Sequence, residues 1–317
     1  MVNKTSVGVI GVGHLGQHHA RILSELGSCW LAGVVDHDPK RAAHIAKNCK
    51  TTAYTDYHEL LPQIKAAVVA VPTPLHYLIA KECLQKGLHC LVEKPLCETV
   101  EQAEELIHIA QSQNLILQVG HVERFNPAVI AAHNYIKNAK FIEVNRLGPY
   151  DPRVSHIGVV LDIMIHDLDI VLYLVSSEIE SLESFGAKVI SEHEDIVKCR
   201  LRFKNGCIAD LSASRVSLEQ YRKIRIFQPD AYISLDYARK DLKIFKKKKS
   251  KVESFSDIQI IKPPLKNEEP LRLELEHFIE CIHEGKAPQV SGEHGRDALE
   301  LGLEILNQLH IHELSNA

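Results

Sequence analysis

The chain has no Cys-x-x-Cys pair, although it holds eight cysteines, at positions 29, 49, 83, 90, 97, 199, 207 and 281. That scatter argues against a zinc knuckle or a disulfide framework, and no metal site is expected; reduced thiols in a cytoplasmic protein are the simplest account. Also lacking is any apolar run near the ~20 residues that span a bilayer, and the N-terminus has no signal-peptide layout, so no membrane association is expected. The formal charge is only −4 over 317 residues, which gives no global nucleic-acid or membrane signature. Internal repeats and long low-complexity tracts are missing too. What remains, 45% hydrophobic and 25% charged residues, is the balance of an ordinary soluble globular protein, and the length suits about two domains.

The most informative stretch is LDIMIHDLDIVLYL, residues 161–174. Wound as an α-helix at about 100° per residue, it brings Asp162, His166, Asp169 and Tyr173 within roughly 60° of one another and leaves Asp167 on another face. The remaining surface is mostly Leu, Ile, Met and Val, so the helix is expected to be buried nearly all round. A polar stripe in that setting must be hydrogen-bonded, paired or turned toward a ligand cavity. Two readings stay open at this point: a satisfied core histidine beside an ion-paired Asp, or a His acid/base and a carboxylate that address one substrate.

The first 36 residues read as a dinucleotide site. TSVGVIGVGHLGQHHARILSEL gives an apolar strand, a turn carrying Gly11, Gly13 and Gly16 with His14 and Leu15 inside it, and an amphipathic helix. Such glycines permit a tight turn and close backbone approach to a pyrophosphate, and the helix N-terminus then offers N–H groups to the phosphates. A second strand, WLAGVVD, ends in Asp36, suited to accept from both adenosine ribose hydroxyls and to repel a 2′-phosphate, so NAD is favoured over NADP. His14 and His18 share a helix face, but without a carboxylate or Cys partner they do not make a metal site.

Strand–helix alternation continues through AAVVAV (66–71), the helix after Pro72-Thr73-Pro74, HCLVEKPL, the helix Thr99–Asn114 and LILQVGH, which predicts a doubly wound parallel sheet. Ligands of such sheets lie beyond the carboxyl ends of the strands, where Pro72, Thr73, His76, Glu93, Lys94 and His121 all fall. Lys94, set between a strand end and a Pro, is placed to aim its ammonium at cofactor or substrate; a solvent-exposed turn lysine is the alternative. Residues 179–262 alternate in shorter strands, with Asn205-Gly206 as a hairpin turn. The KKKKSK run at 246–251 lacks interleaved aromatics and reads as a solvated hairpin tip, not a nucleic-acid site. Residues 256–269 read as a loop into C-terminal helices.

The GVGHLG turn, Glu93-Lys94-Pro95 and Asp162-x-x-x-His166 with Asp169 together resemble the Gfo/Idh/MocA oxidoreductase superfamily, over essentially the whole chain. The resemblance implies an α/β protein: a Rossmann domain with a doubly wound parallel sheet at 1–120, and at 121–317 a C-terminal α/β domain for substrate binding and oligomerisation. The latter carries a large open, mainly antiparallel sheet that forms a homodimer or homotetramer interface. It also implies NAD as cofactor and Lys94, Asp162 and His166 as the catalytic set. One departure is Ile157-Gly158-Val159, where relatives often carry a Gly-Gly pair before the key helix. VGHVERFNPAV (119–129) and the stretches at 145–169 and 213–237 are similar to the branch that oxidises the C3 hydroxyl of UDP-N-acetylglucosamine, whose ketone an aminotransferase partner aminates for a variant lipid A. For a sugar-nucleotide diphosphate, cations are expected near the pocket: Arg124 and Asn126 after His121, and Arg146 and Arg153 before the key helix, with Tyr150 and His156 on the same approach. His166 suits removal of the hydroxyl proton near neutral pH, and Lys94, as donor to the reacting oxygen, is the other candidate for base. A free-sugar or cyclitol dehydrogenase, and an NAD(H)-binding regulatory protein without turnover, are the alternatives.

Overall fold

A computed structural model describes residues 4–152 and 157–313, and these fall into two compact units. One comprises the chain up to Val122 together with Glu269–Leu299; the other comprises Glu123–Glu268 and the residues from Glu300 onward. Among the described residues no helix is long and apolar enough to cross a membrane.

In the first unit the chain alternates β1 (Thr5–Ile10), α1 (Gly16–Glu25), β2 (Cys29–Val35), α2 (Pro39–Cys49), β3 (Thr52–Tyr54), β4 (Ala66–Val69), α3 (His76–Gln85), β5 (His89–Glu93), α4 (Val100–Ser112) and β6 (Leu117–Gly120). All six strands are parallel in the order β3-β2-β1-β4-β5-β6, so the winding reverses between β1 and β4. β1, β4 and β5 are apolar on both faces because helices cover both sides. The helix starts are written locally. Asp38 accepts from the N–H groups of Lys40 and Arg41 with Pro39 in the first turn of α2, and Thr99 accepts from Gln102 to open α4.

The second unit holds α5 (Pro127–His133), β7 (Phe141–Leu147), a π-helical turn at Val160–Met164, α6 (Ile165–Val175), β8 (Ile179–Lys188), β9 (Ile196–Phe203), β10 (Ile208–Ser214), β11 (Tyr221–Gln228), β12 (Ala231–Asp236), β13 (Asp241–Lys247) and β14 (Ile258–Ile261). After α7 (Pro270–Glu284) and α8 (Gly292–Asn307), β15 (His310–Glu313) completes a nine-stranded sheet in the order β14-β13-β12-β11-β7-β10-β9-β8-β15. The sheet is mainly antiparallel; β7 with β10 and β8 with β15 are the parallel pairs. Its inner face, with Ile142, Val144, Leu201, Ile224 and Ile233, packs a core that includes Met164, Leu168 and Val171 from the helical side. On the other face the rings of Phe227, Tyr232 and Phe245 stack at 4.9 and 5.3 Å between centroids.

Three expectations are corrected. The block 121–317 is not one piece, because α7 sends Leu275, Phe278 and Ile279 into the core of the first unit, beside Val7, Val34 and Val68. The stretch 161–174 is not one regular α-helix, since Ile165 N–H bonds back to Val160 and makes a π turn that carries Asp162. The sheet also gains β7, β14 and β15, which the strand pattern did not reveal. In β7 the inward register is Ile142, Val144 and Arg146, so a buried charge breaks the alternation. The basic run lies where β13 turns to β14, and Lys249 is held there by Asp257 at 3.1 Å and Glu253 at 3.7 Å.

Candidate active site

The glycine turn is built to admit a phosphate. Gly11 has φ +87°, and a Cβ there would lie 2.7 Å from the carbonyl oxygen of Ala70. A Cβ on Gly16 would meet the carbonyl oxygen of Gly11 at 1.8 Å, so any side chain would close the turn. Gly13 faces open space, its nearest neighbour being Arg41 Nη1 at 4.0 Å. No side chain caps α1; the N–H groups of Gln17 and His18 donate to the Gly13 and Leu15 carbonyls at 3.2 and 2.9 Å, and His14 and Leu15 form the exposed rim. Asp36 is buried and braces this turn: Val12 N–H donates to its Oδ2 at 3.1 Å and Asp38 N–H to its Oδ1 at 3.0 Å. These residues fit a dinucleotide. Arg41 also reaches Asp36, a contact that sequence reasoning missed.

At the ends of β4 and β5, His76 departs from its expected cofactor role. Its side chain is buried, with Nδ1 2.8 Å from the Pro95 carbonyl oxygen and Nε2 2.8 Å from that of Val71. Burial pushes this imidazole below the usual histidine range, against the pull of the two carbonyls. A neutral ring donates one of these bonds and an imidazolium both. Either way the ring ties the two segments flanking Lys94 and Thr73. Pro72 is exposed and Thr73 half-buried in a short 3₁₀ turn, Thr73–Leu75. Beneath Lys94, the Glu93 carboxylate lies 2.7 Å from His19 Nε2 and accepts from the Lys94 backbone N–H at 3.2 Å. Burial alone would raise the Glu93 pKa, but His19 and Lys94 outweigh it and hold the carboxyl below its ordinary value. Lys94 therefore stands half-buried on an anionic base. His121 is buried just past β6.

In the second unit the polar stripe divides into two sets. Asp162 on the π turn and His166 at the start of α6 are half-buried, whereas Asp167 and Asp169 are buried and neutralised. Arg124 forks onto Asp169 through Nε and Nη2 at 2.8 and 2.7 Å, and its guanidinium lies 4.3 Å from the Tyr173 ring centre. Arg146 forks onto Asp167 through Nε and Nη2, both at 2.8 Å, and reaches Glu123 at 3.1 Å. Burial works against the Arg146 charge, yet Asp167 and Glu123 hold it protonated more firmly than usual; the same burial pushes the Asp167 carboxyl up. Both guanidiniums assigned to a substrate diphosphate are thus engaged with protein carboxylates. Asn126 is engaged too, accepting from Ala128 N–H as the cap of α5. Asp167, set aside in the sequence, and Asp169 anchor the helix that carries His166.

The entry to that helix rests on residues the sequence did not single out. Glu194 Oε1 accepts from Val160 N–H at 3.2 Å, and a Cβ on Gly158 would sit 1.9 Å from the same oxygen. Gly158 therefore leaves room for the carboxylate that caps the helix start. Arg215, fully buried, donates to Asp195 Oδ1 at 2.7 Å, to the Ile157 carbonyl at 2.6 Å and to Ser191 Oγ at 2.7 Å, and stacks 5.4 Å from the Tyr150 ring centre. Arg153 and His156 lie outside the described residues.

Known proteins match both parts of the chain. Residues 5–121 match the family model described as oxidoreductase family, NAD-binding Rossmann fold, and residues 143–233 match the GFO/IDH/MocA C-terminal domain. A UDP-N-acetylglucosamine 3-dehydrogenase of Acidithiobacillus ferrooxidans is 34% identical over 303 residues, 94% of this chain and 95% of that one. A scyllo-inositol 2-dehydrogenase (NAD(+)) of Bacillus subtilis is 26% identical, covering 97% of this chain and 94% of that protein. A solved structure of the A. ferrooxidans enzyme superposes with a TM-score of 0.90 at 32% identity, covering 96% of this chain and 98% of that one. The chain therefore belongs to the Gfo/Idh/MocA family and is an NAD-dependent oxidoreductase acting on a CH–OH group.

Proposed function

We propose that the protein oxidises the C3 hydroxyl of a UDP-sugar, UDP-N-acetylglucosamine, to the 3-keto sugar nucleotide. The observation that carries this reading is the 34% identity to a UDP-N-acetylglucosamine 3-dehydrogenase across nearly the full length of both chains. The reaction removes a hydride from C3 and a proton from its hydroxyl, leaving a ketone. NAD, when bound along the Gly11–Gly16 turn and Asp36, supplies the hydride acceptor. His166 takes the hydroxyl proton at its imidazole. Lys94, held over the Glu93 carboxylate, donates to the reacting oxygen and stabilises the negative charge that develops there. Asp162, one helical turn before His166, orients the imidazole or accepts from a neighbouring sugar hydroxyl. Arg124, Arg146 and Glu194 leave the diphosphate to other groups and hold the helix itself.

In this reading the protein works in the cytoplasm, and the ketone is consumed by an aminotransferase that installs a C3 amine for lipid A. The outward aromatic face of the nine-stranded sheet supports a homo-oligomer, dimer or tetramer. The test is NAD reduction by the purified protein with UDP-N-acetylglucosamine, with and without an aminotransferase and amino donor to draw off the ketone, beside myo-inositol and free N-acetylglucosamine. Reduction with the nucleotide sugar alone is expected. Reduction with a free sugar or cyclitol but not with the nucleotide sugar refutes the assignment.

A further inference from the structure

We infer that one end of the nine-stranded sheet is a basic face that seats the protein on an anionic lipid bilayer, with Phe255 as its apolar anchor. The run at 246–251, read from the sequence as a solvated hairpin tip, is one part of that face. Its five lysines, Lys246–Lys249 and Lys251, are all exposed around the β13–β14 turn. Lys247 Nζ donates to the Pro229 carbonyl at 2.9 Å, which joins the hairpin to the β11–β12 turn. Beside that turn, Lys140 N–H donates to the Phe227 carbonyl at 2.8 Å and Lys137 N–H to Gln228 Oε1 at 3.1 Å; both lysine side chains are exposed. Seven lysines thus share these neighbouring turns with three carboxylates, Asp230, Glu253 and Asp257. Lys249 and Lys251 reach Glu253 or Asp257, which leaves Lys137, Lys140 and Lys246–Lys248 to carry the surplus. The face stops at the β9–β10 turn, where Glu178 takes Lys204. A net charge of −4 averages over the whole chain and hides this local excess, so the sequence raised no expectation of a membrane partner.

The chemistry of the face favours a lipid surface. Lysines on turn tips are a spread of hydrated point charges, and no arginine stands among them in these turns to fork onto a single phosphate. The nearest rings, Phe227, Tyr232 and Phe245, stack on one another and so offer no free platform to a nucleic-acid base. Phe255, by contrast, is 70% exposed at the hairpin tip, with Val252 exposed three residues before it. Lys248 Nζ donates to the Ser256 carbonyl at 2.8 Å, so a cation lies against the short turn that carries the Phe255 ring. Clustered lysines meet anionic headgroups, and an exposed aromatic among them enters the boundary below. This seating leaves the proposed chemistry open. β7 starts at the basic end and reaches Arg146 near its other end, where Arg146 holds Asp167 beside His166. A seven-residue strand spans about 20 Å, so the start of α6 lies well away from the basic turns.

The test is co-sedimentation of the full chain with vesicles of phosphatidylglycerol and phosphatidylcholine, beside vesicles of phosphatidylcholine alone. Binding to the anionic vesicles at low ionic strength is expected, with release in about 0.5 M salt as screening shortens the reach of the lysines. Each lysine near such a surface is worth roughly fivefold in partitioning, so Lys246→Gln combined with Lys248→Gln should weaken binding by about 25-fold. The same exchange at Lys188 and Lys266, exposed at the end of β8 and after β14, should change it by less than about twofold. Phe255→Ser should weaken it by about tenfold, as expected for withdrawing one large apolar side chain. Unfolding midpoints equal to wild type keep folding defects out of these comparisons. No binding to anionic vesicles, equal binding to neutral ones, or equal loss in the two lysine pairs overturns the inference, as does retention of RNA in place of vesicles.

Discussion

Arg146 and Asp167 offer a direct measure of how the helix carrying His166 is held. Both side chains are buried, 5% and 2% exposed, and joined by two hydrogen bonds of 2.8 Å. Removing one member of such a pair leaves the other charge without water or partner, at a cost of about 3–5 kcal/mol, whereas replacing both with apolar residues of similar volume is often neutral or better. Arg146→Met strands Asp167, and Asp167→Leu leaves Arg146 facing Glu123 at 3.1 Å and the Tyr237 ring, 5.1 Å from its centre. Each single variant is therefore expected to lose about 3 kcal/mol or more, and the double variant to return to within about 1–2 kcal/mol of wild type. Glu123 keeps the Asn126 amide at 3.1 Å, so it adds little to the cost of the double change. Urea unfolding of the four proteins near neutral pH gives the coupling energy directly. Losses that simply add in the double variant would refute the claim that desolvation of a stranded charge sets the cost. Turnover provides a second reading: the singles should lose kcat with NAD affinity unchanged, because the pair positions α6 and lies outside the dinucleotide turn.

Lys94→Met and His166→Ala should each lower kcat by about 10²–10⁴-fold while NAD still binds, as expected for a proton-transfer or charge-stabilising group; near-wild-type turnover in both would remove them from the chemistry. Gly158→Ala should cost about 1–2 kcal/mol, since the new Cβ, 1.9 Å from Glu194 Oε1, evicts the cap of Val160. In Glu194→Ala the same glycine change should then be nearly silent, and an equal loss in both backgrounds would contradict the capping account. Asp195 is held well below the usual carboxylate range: burial opposes this, but the N–H groups of Ile190 and Val189, Ser191 and Arg215 outweigh it. A lowered folded pKa contributes stability that is fully present above the unfolded value, near pH 4, and is lost as the pH falls below it. Asp195→Asn should therefore be less stable at neutral pH and show a flatter decline on acidification; an unchanged acid profile would count against the assignment.

Local patterns were legible where a residue's role depends on its neighbours in the chain. The Gly11–Gly16 turn, the strand ending in Asp36, and the strand–helix alternation through Gly120 all follow from short-range steric and hydrogen-bonding rules. Lys94, Asp162 and His166 stand out in the sequence by spacing and by resemblance, and their catalytic role is the proposal made above. The polar stripe of residues 161–174 was legible as expensive, but not in its partners. A 3.6-residue period places Asp162, His166, Asp169 and Tyr173 on one face, yet the π turn and the distant Arg124 set half-buried Asp162 and His166 apart from buried Asp169.

The sequence by itself determined an α/β dinucleotide-binding chain with a Lys, an Asp and a His suited to alcohol oxidation, because backbone propensity and side-chain chemistry act over a few residues. Tertiary structure alone decided which charges are neutralised. Arg124 meets Asp169 across 45 residues, Arg146 meets Asp167 across 21, Arg215 meets Asp195 across 20, and His19 meets Glu93 across 74. In the sequence each of these groups reads as a free cation, acid or imidazole. Burial makes an unpaired charge too costly to keep, so only the packed fold determines which remain available for cofactor and substrate.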